Sequence, residues 1–172
     1  DRQEHGDEAD ERSYLKHRVL AALPFTFGQS SVAHGRPDDS IVGDHDSKRR
    51  VLVLLEEKAT HSLRMPEKID DVLEAYRLGD WRTTHPIGQL ARQMLLNDCP
   101  FGVLTSGTRT YFVRASVGDD GVVEFAVSRR WYVGEPQYLR AWAWIVDHSK
   151  NSVKLASGAL RGDKRTDNGG WR

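Results

Sequence analysis

The sequence predicts an α/β domain with a central mixed sheet of about five strands flanked by helices. Three observations lead there. The hydrophobic period switches between helical and alternating along the chain, giving the order αβββαβ with further strands and a last helix behind it. Val51-Leu52-Val53-Leu54-Leu55 is apolar at every position, the pattern of a central strand covered on both faces. The length of 172 residues suits one domain at about 150 residues per domain, enough to bury a core without disulfide staples.

Residues 1–12 carry six acids against Arg2 and Arg12 and nothing apolar larger than Ala9, which reads as a solvated acidic tail. From about Glu8, Leu15, Val19, Ala22 and Leu23 recur at helical spacing until Pro24. Phe25–Ala33, Arg36–Gly43 and Arg50–Lys58 read as three strands, the last two separated by the turn-rich Asp44-His45-Asp46-Ser47. Helices follow at Glu67–Arg77 and Pro86–Asn97, the second with proline at its first turn. Strands then come at Phe101–Thr105, Thr110–Ala115 and Val122–Val127, joined by Ser106-Gly107-Thr108-Arg109 and Gly118-Asp119-Asp120-Gly121. A last helix over Pro136–His148 should bury Leu139, Trp142, Ala143 and Val146, with a short strand over Ser152–Ala156 after it. The domain is expected over residues 13–156 and a basic tail over 157–172, the latter holding Arg161, Lys164, Arg165 and Arg172.

The composition excludes several classes. With 38% apolar and 29% charged residues the chain is not wholly disordered. The longest apolar runs, Val51–Leu55 and Ala141–Val146, are far short of the roughly 18–20 residues of a membrane span, so no membrane partner is expected. The single Cys99 rules out an internal disulfide and multi-cysteine metal sites; it reads as a small buried hydrophobe in a reducing intracellular setting, cytoplasmic or nuclear. Twenty-five acids balance 25 bases, so any nucleic-acid binding must use a local patch. A start at Asp1 rather than Met reads as a piece of a longer chain. Nothing here matches a Walker loop, a Gly-x-Gly-x-x-Gly turn, a Gly-x-Ser-x-Gly elbow or a paired-histidine zinc site. His34, His61 and His85 read as surface or capping residues, and Trp142 as core beside a half-exposed Trp144.

The chemistry concentrates in Arg36-Pro37-Asp38 and Glu56-Glu57-Lys58. Charged side chains at the end of the most apolar strand conflict with burial, and such conflicts mark candidate sites. A hairpin with a loop of three to five residues around Ser47 sets Asp38 directly across from Glu56, with side chains about 5 Å apart on one face. Lys58 shares that face and Glu57 points away. Two adjacent carboxylates repel unless a cation sits between them, and hard oxygen ligands suit Mg²⁺ or Mn²⁺. A lysine beside such an ion can position an attacking water.

These residues resemble the PD-(D/E)XK nuclease superfamily, in which an Asp on one strand and a Glu-x-Lys on the next form the metal-binding core. Pro37-Asp38 and Glu56-Glu57-Lys58 match that motif. Gln89 within Ile87-Gly88-Gln89-Leu90, and the strands Phe101–Ser106 and Thr110–Arg114 behind it, extend the resemblance to the nuclease-like domains of Crinkler-type effectors and of fungal kinase-linked, spore-killing drive proteins. The resemblance implies a restriction-endonuclease-like αβββαβ core and an Mg²⁺- or Mn²⁺-dependent endonuclease acting on nucleic acid, DNA in preference to RNA. It implies metal binding by Asp38, Glu56 and the backbone carbonyl of Glu57, with Glu11 or Glu8 as a further first-helix ligand, and catalysis by Asp38, Glu56, Lys58 and Gln89. Arg36, Lys48, Arg49 and Arg50 are candidate phosphate contacts. The alternative is a catalytically silent module that docks a kinase or other downstream domain.

Overall fold

The computed structural model describes residues 27–28, 33, 37–45, 48–58, 74–106 and 109–152. In them seven strands form one sheet: β1 (Phe27–Gly28), β2 (Asp39–His45), β3 (Lys48–Glu57), β4 (Phe101–Thr105), β5 (Arg109–Val117), β6 (Val123–Val127) and β7 (Trp131–Tyr132). The helices are α1 (Trp81–Leu96) and α2 (Tyr138–Asn151). Strands run in the order β1-β2-β3-β4-β5-β6, and β7 also pairs with β5. Neighbours are antiparallel except β3 and β4, whose connection contains α1 and so returns the chain in the same direction. The domain is therefore α/β with a mixed, open sheet flanked by helices. β1 falls within the strand expected over Phe25–Ala33, whereas the two-residue β7 was not expected and is too short to leave a periodic signal. The expected first helix, both tails and most of the Glu67–Arg77 helix lie outside the described residues; 74–77 is helical.

The middle of β3 is the core of the molecule. Val51 to Leu55 are all buried, none more than 7% exposed, as the unbroken apolar run requires; each such side chain contributes about 1.5–3 kcal/mol relative to exposure. Val51 and Leu54 pack with Leu90 and Met94 of α1 and with Leu104 and Tyr111. Leu52, Val53 and Leu55 pack on the other face with Trp142, Ile145 and Val146 of α2. Gly102 lets α1 approach, since a Cβ there would meet Met94 Sδ at 2.7 Å and Leu90 Cδ1 at 3.0 Å. Cys99 is buried as expected, its thiol near the carbonyls of Leu52 and Phe101, and burial pushes its pKa up to about 12.

Two helices differ from expectation, α1 in where it starts and α2 in the face it buries. α1 begins at Trp81, five residues before Pro86, which sits inside the helix. Gly79, at φ +72°, closes the helical turn 74–77, and the Asp80 carbonyl then accepts the amides of Thr83 and Thr84 at 3.0 and 2.8 Å. The start is thus written in Gly79-Asp80, and the buried Pro86 is tolerated one turn later despite the missing donor. α2 buries Tyr138, Trp142, Ile145, Val146 and Ser149, whereas Leu139 and Ala143 face outward. The stripe is rotated because Tyr138 donates or accepts a buried hydrogen bond with Thr110 Oγ1 at 2.7 Å, a partner that hydrophobicity ranking cannot see. Arg50 Nη2 donates to the carbonyls of Ser149, Lys150 and Ser152 at 2.8, 3.1 and 3.2 Å and so satisfies the otherwise open end of α2. No helix among the described residues is long and apolar enough to cross a membrane.

Candidate active site at the end of strands β2 and β3

The register of β2 against β3 decides which charged side chains meet. His45 pairs with Lys48, Asp44 with Arg49, Gly43 with Arg50 and Val42 with Val51; the ladder then shifts, and Ile41 pairs with Val53, Ser40 with Leu54 and Asp39 with Leu55. Leu52 is the extra residue of this bulge, which explains why Leu52 and its neighbour Val53 both join the α2-side core. Side-chain direction alternates along a strand, so a one-residue shift exchanges the faces. A hairpin closed at residues 46 and 47 without the bulge would set Asp38 across from Leu55, on the face opposite Glu56. With the bulge the register extends to Asp38 across from Glu56. The expected pairing is the continuation of this bulged register one step past its last pair, Asp39 with Leu55.

Glu56 pairs with Leu104 on the α1 face and Lys58 reaches its carboxylate; continued one step past β2, the register puts Asp38 on that face as well. Glu56 is 0% exposed, a position that costs several kcal/mol for an isolated charge, and Lys58 Nζ donates to Glu56 Oε1 in a close ion pair. Asp38 is half-buried, and its Oδ2 accepts the backbone N–H of Glu57 at 2.8 Å. That bond ties the Asp38 side chain to the backbone of β3. Lys58 N donates to Thr105 O at 2.9 Å, which ties the motif's last residue to the end of β4.

Glu57 and Asp39 point to the α2 face, and both are buried, at 4% and 0% exposure. Sequence reasoning turned Glu57 to this face but missed Asp39 beside it, although strict alternation from Asp38 was a sufficient signal. Behind it runs a buried hydroxyl chain, Thr105 Oγ1 to Thr110 Oγ1 at 3.1 Å and on to Tyr138 OH at 2.7 Å.

Gln89 lies half-buried in α1, one residue before Leu90; among the described residues no hydrogen bond joins it to Asp38, Glu56 or Lys58. Of the basic candidates, Arg49 is exposed, while the Arg50 guanidinium is committed to the carbonyls at the end of α2. Arg36, the Lys48 side chain and Glu11 lie outside the described residues. Among the described residues no group of three or more His, Cys, Asp and Glu side chains is arranged to hold a metal ion. Comparison with protein-family models, with curated proteins and with solved structures returned no match to this chain.

Proposed function

We propose that the chain is a metal-dependent nuclease of the PD-(D/E)XK type, hydrolysing phosphodiester bonds with DNA preferred to RNA. One observation carries the reading: the bulged β2–β3 register and the Lys58–Glu56 ion pair, which, with the register continued one step past Asp39 and Leu55, bring Asp38, Glu56 and Lys58 to one sheet face. The topology supports it, since two antiparallel strands followed by a helical crossover to a parallel fourth strand is the order expected of a restriction-endonuclease-like core. The donor set suits Mg²⁺ or Mn²⁺: two carboxylates and the Glu57 carbonyl are hard oxygen ligands, with water completing the shell. Such an ion, when bound, supplies charge neutralisation at the phosphate.

The chain's own residues then divide by chemistry. Asp38 and Glu56 can ligate; Lys58, an ammonium, cannot. Lys58 instead donates to and orients the attacking water, and its stem is held in place by the Glu56 contact and the Lys58 N to Thr105 O bond. Gln89 orients Lys58 or a phosphate oxygen from α1.

A second reading, a catalytically silent module that docks a further domain, is favoured by a different observation. Glu56 is already met by Lys58, and Asp38 already satisfies a strand amide, so the cluster could serve stability alone. Incubating plasmid DNA and single-stranded RNA with the chain plus Mn²⁺, alongside Lys58→Ala, separates the two. The nuclease reading expects cleavage by the parent and a folded, inactive variant. A parent that cuts neither substrate overturns it. A silent charge cluster instead expects Lys58→Ala to unfold more easily by several kcal/mol, because it strands buried carboxylates.

A further inference from the structure

The sheet face opposite Asp38, Glu56 and Lys58 holds a cavity of about 380 Å³ whose lining includes Trp131, Trp144, Phe112, Arg140, Gln137 and Ser128. That volume falls within the roughly 300–1,000 Å³ of small-molecule sites. Ile145 and Ala141 of α2 add to its apolar lining. Trp144 meets the core ring of Phe101 edge-on at 6.5 Å yet stays 52% exposed.

Both indoles are held in place without a ligand. His148 stacks on Trp144 with ring centroids 3.8 Å apart and 26° between planes. The Arg129 guanidinium lies 3.8 Å above the Trp131 ring and is gripped from outside by Glu135 at 2.6 Å. Phe112 meets Trp131 edge-on at 6.3 Å. Walls fixed in this way lose little freedom when a flat ring slides against them.

Charge selects among the occupants that aromatic walls attract. A quaternary ammonium would be drawn to the rings but repelled by Arg140 in the lining. A proline-rich segment fits aromatic grooves but makes no use of a cation. Among the described residues no carboxylate forms an ion pair with Arg140, so its charge is available to an anion. A planar base attached to a phosphate uses every feature at once.

We propose that this cavity binds a nucleotide, with the base against the Trp131 and Trp144 indoles, the phosphate on Arg140, and Gln137 and Ser128 hydrogen-bonding to the polar edge. The nucleotide comes either free or as an unpaired residue of a single strand. The proposal does not depend on the nuclease reading, because the cavity and the Asp38 site lie on opposite faces of the sheet.

The test is calorimetric titration and indole fluorescence of the whole chain in EDTA, where metal-dependent cleavage is silent. The probes are AMP, adenosine, a short single-stranded oligonucleotide and a polyproline peptide. AMP should bind saturably and quench indole emission. Trp144→Ala should weaken AMP by about tenfold, as loss of one base-stacking contact does, and Trp144→Phe should restore most of it. Arg140→Gln should weaken AMP while leaving adenosine unchanged, a split that a merely structural residue would not produce. Saturation by AMP alone identifies a free nucleotide, and binding of the oligonucleotide through the same residues identifies a strand. Failure of both to saturate at millimolar concentrations overturns the proposal, as does AMP binding unchanged in Trp144→Ala, or a polyproline peptide binding in their place. Nuclease activity that persists after such a failure leaves the Asp38 site standing on its own.

Discussion

On the α1 face, the end of β3 carries Glu56 and Lys58 joined in an ion pair, with Asp38 alongside; on the α2 face, the same strand end carries Glu57, with Asp39 on the neighbouring strand. Both faces bury carboxylates at nearly the same depth, with Asp39 and Glu56 at 0% exposure and Glu57 at 4%. Burial of an acid is therefore not what singles out a site in this molecule. The distinguishing feature is composition: the α1 face adds a lysine two residues from the glutamate, and the α2 face adds a chain of neutral hydroxyls. A carboxylate pair with an ammonium can hold and organise a charged reactant, whereas carboxylates beside hydroxyls are a setting for structural hydrogen bonds.

The comparison is broken or sharpened most forcefully at two adjacent aspartates. Asp38→Asn should lower Mn²⁺-dependent cleavage by about 10²–10³-fold, the usual loss when one preorganised electrostatic group goes, and should remove the calorimetric Mn²⁺ signal. Asp39→Asn differs by a single position yet lies on the other face. Assayed below its unfolding midpoint, it should cleave at the parent rate even if that midpoint falls. Equal loss in both variants would mean that the site is not confined to the α1 face.

A smaller effect separates the two cores. Gly102→Ala drives a Cβ to 2.7 Å from Met94 Sδ and 3.0 Å from Leu90 Cδ1, two side chains fully enclosed on the α1 face, and overpacking of that kind costs about 1–3 kcal/mol. Gly43→Ala on the α2 face meets the Leu52 Cδ1 methyl at 2.5 Å, but there one bulge residue can rotate away. Urea unfolding at unchanged slope should show the larger loss for Gly102→Ala. The reverse order would mean that the bulge at Leu52 is the more rigid element.

Much of this was legible before any coordinates. The apolar run of β3 and the alternation of β4 and β5 follow from period and turn placement, because side-chain direction in a strand is fixed by parity; the placing of Asp38 relative to Glu56 does not, since it turns on the bulge at Leu52. What was not legible had a tertiary cause. Leu52 carries no mark of a bulge, since a leucine fits an extended strand equally well; only the packing of both Leu52 and Val53 against α2 reveals it. Pro86 drew the start of α1 toward itself, and the Gly79-Asp80 pair that sets the true start was outranked by a stronger local signal. The rotation of α2 turns on the Tyr138 hydroxyl finding Thr110, and Arg50, grouped by sequence with a basic cluster, is drawn inward by the open carbonyls of a helix that begins almost ninety residues later.

The smallest expected effect lies on the rim of the indole cavity. The Arg129 guanidinium beside Glu135, together with the Tyr132 N–H that donates to Glu135 Oε1 at 2.8 Å, holds the Glu135 carboxyl below its usual value of 4.5. A carboxyl whose pKa is depressed by folding contributes stability above its unfolded value and loses it as pH falls through the folded one. Glu135→Gln keeps an acceptor for Tyr132 and removes the charge, so the parent should exceed the variant in unfolding midpoint near neutral pH. That margin should shrink as pH drops below about 4.5. The pair is exposed, so high salt at neutral pH should shrink the margin in the same way. A margin that ignores both acid and salt would locate the contribution of Glu135 in the Tyr132 hydrogen bond alone. Arg129 would then be held over Trp131 by stacking rather than by charge, and the wall of the cavity should keep its geometry in acid.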